Sequence, residues 1–417
     1  MLTRCEAGFS QIDITPDFPV ELIGCYRPDS TSRGVLHPLC AQAAVFSRAG
    51  ERYCLVTVDS LGLTTGLSDT LRQRIARILG TSASAVMLCF SHTHSAPAPL
   101  SPLNGERYYQ LLCERIEQCV AEAASSLRPC SAGWSVTETG IGENRREGCT
   151  EVDRRLGALR VTDAGTGRPM AVLVRLTAHA NILMSGNDRI SSDFFHTVRT
   201  KLQEWLQCPV MLIQGAAGNI KPTGVDKILG GGLPDLDWIA EQLFQDAKRL
   251  STDTADVGCL QMASRPIRLV SDVPLAAEAE RIAADARREC GVDGTAWLAE
   301  CGRLREAEVT EQIQEREIHL FRLNDGGFCG VPDELFCEIS LDAASRAGTP
   351  LFFLNGYTNG CAGYLPHRAE WVKGGYETLY SYLSYYPFHE HVLPFRPDTA
   401  DRIAEEAVRM WMSSARA

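Results

Sequence analysis

One alternation in the sequence constrains the fold more than any other feature. Short β-rich runs bounded by turn residues recur at Ala41–Phe46, Tyr53–Asp59, Ala85–Phe90, Ala158–Val161, Met170–Thr177, Pro209–Gln214, His319–Leu323 and Leu351–Asn355. Between them lie segments with apolar residues three and four apart, at Leu67–Leu79, Glu106–Ser126, Phe194–Gln207 and Leu236–Leu250. Several of the β-rich runs are apolar throughout, as strands covered on both faces must be. The pattern predicts an α/β fold with a mixed β-sheet core and flanking helices. From about Asp272 to Glu317 the chain turns charged and alanine-rich, broken at Gly291-Val-Asp-Gly294, which predicts a helical hairpin inserted over the core. A last helix is expected near Asp398–Ser413.

Of the 417 residues, 45% are hydrophobic and 22% charged, enough apolar matter for a substantial core. No linker, low-complexity tract or internal repeat divides them, so one catalytic unit over residues 1–417 is expected. The net charge of -11 and the scattered basic residues argue against a nucleic-acid partner. The N-terminus, MLTRCEAGFSQIDITP, lacks the apolar run of a signal peptide or anchor. No amphipathic helix rich in Lys and Trp suggests membrane insertion. A cytoplasmic protein acting on a small soluble molecule is the expectation, with homo-oligomerisation left open. The 16 cysteines contain no CxxC pair and several lie in apolar runs, which reads as buried free thiols.

The chemistry gathers where strands end. Ser91-His92-Thr93-His94-Ser95 directly follows the apolar Val86–Phe90, and strand alternation would send His92 and His94 to one face. His179 likewise closes an apolar run, at the edge where open α/β sheets collect functional groups. On its own it is as readily a core histidine bonded to a carbonyl. Glu334, in Gly330-Val-Pro-Asp-Glu334, and Tyr364, in the Gly-rich Asn359–Tyr364, follow two further strand-like runs and individually say little. Together, two neutral imidazoles, a carboxylate and a phenol suit a zinc ion that still holds a water. Such a water, with its pKa lowered to about 7, is a hydrolytic nucleophile at neutral pH.

In this order, HTHS, a distant strand-end His, a Gly-rich loop after a strand, P-x-E and N-x-x-x-x-Y resemble the neutral ceramidase family. The resemblance also takes in Ile12–Pro16, Tyr26, Gly34-Val35, Asp59, Asn144-Arg145, Ile190–Asp193 and Gly356–Glu377. It implies a zinc-dependent amidase with His92, His179, Glu334 and Tyr364 as the metal ligands. His94 would stand beside the water or leaving group, Arg145 and Tyr376 would touch substrate, and Asp193 would orient an imidazole from behind.

Where the family's ceramidases carry Gly-Asp-Val-Ser-Pro, this chain reads Gly218-Asn219-Ile220-Lys221-Pro222. Lys221 thus takes the serine's place, as a base or nucleophile, as an anchor for an anionic substrate, or as a solvent-facing residue, with Asn219 as a substrate contact. No immunoglobulin-like C-terminal domain of the kind the ceramidases carry is expected, and a small soluble acyl compound is expected as substrate in place of ceramide. Three readings follow: a zinc hydrolase of a small N-acyl compound, a metal-dependent esterase or lactonase, and a non-catalytic metal-dependent binding protein. Two further features carry less. His389-Glu-His391 has no strand before it to aim its rings, and Gly230–Gly232 lacks the Lys-Ser/Thr of a phosphate loop and reads as a turn or lid.

Overall fold

The computed structural model describes residues 4–414 apart from 100, 102, 105 and 393. Its largest sheet runs in the order Val86–Phe90, Glu51–Val58, Cys40–Arg48, Glu6–Asp13, Arg128–Glu138, Arg155–Asp163, Pro169–Leu176, Val210–Gln214. The outermost pair at each end is parallel and the inner pairs are antiparallel. Each parallel pair is joined by a helix, Thr65–Leu79 at one end and Phe194–Leu206 at the other. Those two connections are the α/β signal in the sequence, because a parallel pair needs a long crossover.

A second sheet holds Leu260–Asp272, Glu311–Leu323, Gly326–Gly330 and Phe352–Asn355. Alternation decides which layer each side chain enters. On Cys40–Arg48, Ala43 and Val45 point toward Leu71, Ile75 and Ile116 of the covering helices, whereas Phe46 packs with Phe321, Phe328 and Phe353 of the second sheet. Helices Phe194–Leu206 and Leu233–Ala247 cover the other half of the large sheet, and Cys337–Ala347 and Thr399–Ser414 cover the second sheet. The result is a helix–sheet–sheet–helix stack of mixed α/β class.

The expected hairpin is present as Ala276–Cys290 and Thr295–Glu306, closed by Gly291 in a left-handed conformation. It packs on Tyr380, Leu383 and Val392. Its expected extent is corrected at the C-terminal side, where Glu311–Glu317 is strand rather than helix. There the buried residues are Gln314, Arg316 and Ile318, a period of two that polar composition disguised as a helix. No helix among the described residues is long and apolar enough to cross a membrane.

Candidate metal centre

The two apolar strands Val86–Phe90 and Pro169–Leu176 deliver their C-terminal loops to one place. Gln214, at the end of its own strand and 1% exposed, joins the two loops. Its Nε2 donates to the carbonyls of Ser91 (3.2 Å) and Ala178 (2.7 Å), the residues just before His92 and His179. The His94 amide adds a third tie, to the Ala180 carbonyl at 3.1 Å. His92 is brought in by a left-handed backbone, φ 60°, rather than by simple strand alternation. Tyr357 and Asn359, on the loop facing it, are left-handed too, with φ of 53° and 57°. Such conformations in non-glycine residues mark sites where surrounding structure overrides local preference.

The imidazoles of His92, His94 and His179 converge, with one nitrogen from each lying within 4.8 Å of the others. His92 Nδ1 faces the Leu61 carbonyl at 2.7 Å and His179 Nδ1 faces that of Ala217 at 3.2 Å. A carbonyl only accepts, so both Nδ1 atoms carry a proton, which turns both Nε2 atoms toward the cluster. His94 Nε2 lies 3.0 Å from His179 Nε2, and its Nδ1 is buried without a hydrogen-bond partner.

Glu334 enters from the second sheet. It begins a two-residue strand, Glu334–Leu335, paired in parallel with Tyr364–Leu365, in which Glu334 stands opposite Tyr364. Its Oε2 lies 3.2 Å from His92 Nε2 and 3.9 Å from His179 Nε2. Tyr364 accepts a hydrogen bond from Arg145 Nη2 at 3.0 Å. Arg145 also donates to the Gly218 carbonyl and pairs with Glu377 at 3.1 Å. Tyr376 is 38% exposed, with its ring edge-on to Tyr364 at 6.2 Å.

Burial, reinforced by the neighbouring positive groups, pushes the pKa of His94 and His179 well below the ordinary imidazole value, so both are neutral at pH 7. For Glu334 burial acts upward, but His92, Tyr385 and Arg145 outweigh it, and the carboxyl is held below its usual value. Burial together with Glu334 pushes the Tyr364 phenol well up, against the opposing pull of Arg145, so it stays protonated. Neutral imidazoles and an ionised carboxylate are the protonation states in which these groups bind a metal.

Not every candidate joins this cluster. Lys221 lies on the short strand Ile220–Pro222, whose neighbours Ile220 and Pro222 point inward; its ammonium instead pairs with Glu143 and the Val225 carbonyl. Asn219 is fully buried, with its amide on Glu338 and its Oδ1 accepting from the Cys337 amide, while its carbonyl receives the Arg145 amide. It shapes the Arg145 loop, and its side-chain amide is taken up by Glu338 and Cys337. Asp193 caps helix Phe194–Leu206 and holds the Leu183 amide at 2.8 Å, with no imidazole among its hydrogen-bond partners. His389 ends a separate helix, Ser381–His389, His391 follows it, and neither is a member of the three-histidine group. Gly230–Gly232 forms the turn into helix Leu233–Ala247, with Gly232 as its N-cap.

Sequence reasoning missed Gln214, Tyr357, Cys361 and Tyr385. The Tyr357 hydroxyl lies 3.4 Å from both Glu334 Oε2 and His179 Nδ1, and the Tyr385 hydroxyl donates to Glu334 Oε1. Position at a strand end was a usable signal for Gln214. The tyrosines and Cys361 carry no local pattern that separates them from packing residues. As a donor set, inward-facing imidazole nitrogens and one carboxylate oxygen suit zinc or another divalent transition metal.

No family model matches the chain, and neither does any curated protein. Among solved structures, the neutral ceramidase from Pseudomonas aeruginosa superposes with a TM-score of 0.75 at 18% identity, covering 99% of this chain and 75% of that one. A ceramidase complexed with C2 gives 0.74 at 17% identity, over the same shares of the two chains. The chain therefore has a neutral ceramidase-like fold.

Proposed function

We propose that the protein is a zinc-dependent hydrolase that cleaves the amide bond of a small N-acyl compound. The supporting observation is the convergence of His92, His94, His179 and Glu334, with the Nδ1 protons of His92 and His179 committed to backbone carbonyls. The similar solved structures are of ceramidases, whose substrates are N-acyl compounds, and this favours an amide. In this reading His92, His179, Glu334 and Tyr364 hold the metal, and residues 1–417 act as one catalytic unit in the cytoplasm.

When bound, zinc would lower the pKa of a water to about 7 and polarise the attacked carbonyl. The remaining work falls to the chain. His94, neutral and next to His179, takes the proton released by the attacking water and returns it to the leaving nitrogen. Arg145, charged and fixed by Glu377, holds the Tyr364 phenol and offers positive charge to the oxygen that becomes negative. Tyr376, partly exposed beside Tyr364, contacts the acyl compound.

Elemental analysis of the purified protein, followed by a panel of N-acyl amino acids, esters and lactones with and without chelator, tests this. About one zinc per chain and chelator-sensitive amide cleavage are expected. Preference for esters or lactones would move the protein to the second class of hydrolase. Metal uptake without turnover on any acyl compound would make it a binding protein. His92→Ala should lose the metal, whereas His94→Ala should keep it and lose about 10²–10⁴-fold in turnover.

A further inference from the structure

The two oxygens of Glu334 have different surroundings. Oε2 faces the cluster, with His92 Nε2 at 3.2 Å, His179 Nε2 at 3.9 Å and the Tyr357 hydroxyl at 3.4 Å. Oε1 faces away and receives the Tyr385 hydroxyl, with Cys361 Sγ at 3.9 Å as its other neighbour. Tyr385 comes from helix Ser381–His389, remote in sequence from every strand that builds the cluster, and its ring lies 6.2 Å edge-on from Tyr364. We propose that Tyr385 is a positioning residue that fixes which oxygen of Glu334 faces the imidazoles, making the carboxylate a one-oxygen ligand.

The inference rests on the metal-dependent reading above. A carboxylate is free to rotate about its last bond, and one with both oxygens unrestrained can present both to a metal. Two oxygens would fill the coordination position that a hydrolytic water needs. A phenol that donates to the anionic oxygen opposes this rotation, since a hydrogen bond to an ionised acceptor is among the stronger ones. Tyr385 is thereby to Glu334 what the Leu61 and Ala217 carbonyls are to His92 and His179, a partner on the far side that sets the direction of the donor atom.

The test uses the full chain loaded with Zn²⁺ and, separately, with Co²⁺, whose visible spectrum reports coordination number. Wild type, Tyr385→Phe and Tyr385→Gln are compared by competition with a chromophoric chelator and by absorption. Tyr385→Phe keeps the ring and loses the donor. It should bind one equivalent with about 10–100-fold weaker affinity and shift the Co²⁺ spectrum toward higher coordination. Tyr385→Gln keeps an N–H donor without the ring and should move the spectrum back toward wild type, which a packing role would not do. A Phe variant with wild-type affinity and spectrum overturns the assignment while leaving the metal site standing. A wild-type chain that takes up neither ion overturns the metal-dependent reading, and this inference with it.

Discussion

Glu334 and Tyr364 stand directly opposite each other in the pairing of two strands that are only two residues long each. Nothing else in so short a pair would fix its register, but Glu334 donates its amide to Gly363 and Phe336 donates its own to Leu365, bracketing the pair. The carboxylate and the phenol are thus set side by side by the backbone before any side-chain contact is made. Arg145 then ties the phenol to the loop carrying Gly218.

That placement gives the first prediction. Tyr364→Phe should leave the fold intact and weaken zinc binding at least tenfold, as loss of one ligand or its close support does. Competition against a chromophoric chelator reads this directly. Unchanged affinity would remove Tyr364 from the ligand set and leave the fourth place to His94, whose Nε2 already lies 3.0 Å from that of His179.

Gln214 is the second. Its side-chain amide satisfies two buried carbonyls on two different loops, so Gln214→Leu strands both. A buried group left without its partner costs about 1–3 kcal/mol, which urea unfolding should show. Because the loops carry His92 and His179, metal affinity should fall together with stability. A variant that loses stability but keeps full affinity would mean that the Leu61 and Ala217 carbonyls suffice to aim the rings.

Much of this organisation is legible in the sequence, and the exceptions share causes. The apolar strands Val86–Phe90 and Val210–Gln214, and the helices between, carry strong periodicity and lie where the pattern puts them. Glu6–Asp13 sits at the middle of the large sheet, yet its Glu6, Ser10, Gln11 and Asp13 look like surface residues. They read so because part of the strand is not covered on both faces. Leu260–Asp272 and Glu311–Leu323 pair over thirteen residues each with many charged side chains, since much of that ribbon extends beyond the core. At the site, ligand types that follow strands were visible, whereas Tyr385 and Tyr357 reach Glu334 only through tertiary contacts, which no local spacing encodes. Where the Lys221 ammonium goes was not legible for a related reason, that a motif position fixes the backbone but not where a long side chain finds its counter-charge.

Acid should weaken the protein through His319. This histidine is fully buried, and its Nε2 faces the Ser84 carbonyl at 2.9 Å, so that nitrogen holds the proton. Nδ1 then accepts from Asn359 at 2.8 Å and from Arg72 at 3.3 Å. Burial first, and Arg72 second, lower its pKa to about 4. A folded value below the unfolded one of about 6.5 means that the unfolded chain takes up the proton first. Stability is therefore complete above pH 6.5 and is lost as pH falls from there to about 4, by roughly 3 kcal/mol for this residue. His319→Gln can keep both sets of hydrogen bonds without titrating. Urea unfolding of the two proteins at pH 7 and pH 4.5 should show a smaller drop in the variant, and equal drops would assign the acid sensitivity elsewhere.

Lys221 provides the last prediction. Were it the functional replacement for a catalytic serine, its removal would abolish turnover or raise KM for anionic substrates. The structure sends its ammonium to Glu143, its register partner on the facing strand, and to the Val225 carbonyl four residues ahead. Glu143 belongs to the strand pair that supports the His179 loop through the Ile220 carbonyl, and Val225 lies just past it, so the lysine's contribution is to that support. Glu143 is 43% exposed, and a pair open to solvent on one side is worth about 0–1 kcal/mol. Lys221→Met should accordingly keep zinc affinity, KM and turnover within about twofold, with a small loss of stability. Lys221→Ser, which restores the hydroxyl of the ceramidase motif, should not raise turnover, because residue 221 points to the opposite side of its strand from the buried Ile220. Steady-state kinetics on the best acyl substrate decide it. A hundredfold loss in the Met variant would show that the lysine leaves Glu143 during turnover and reaches the reacting groups.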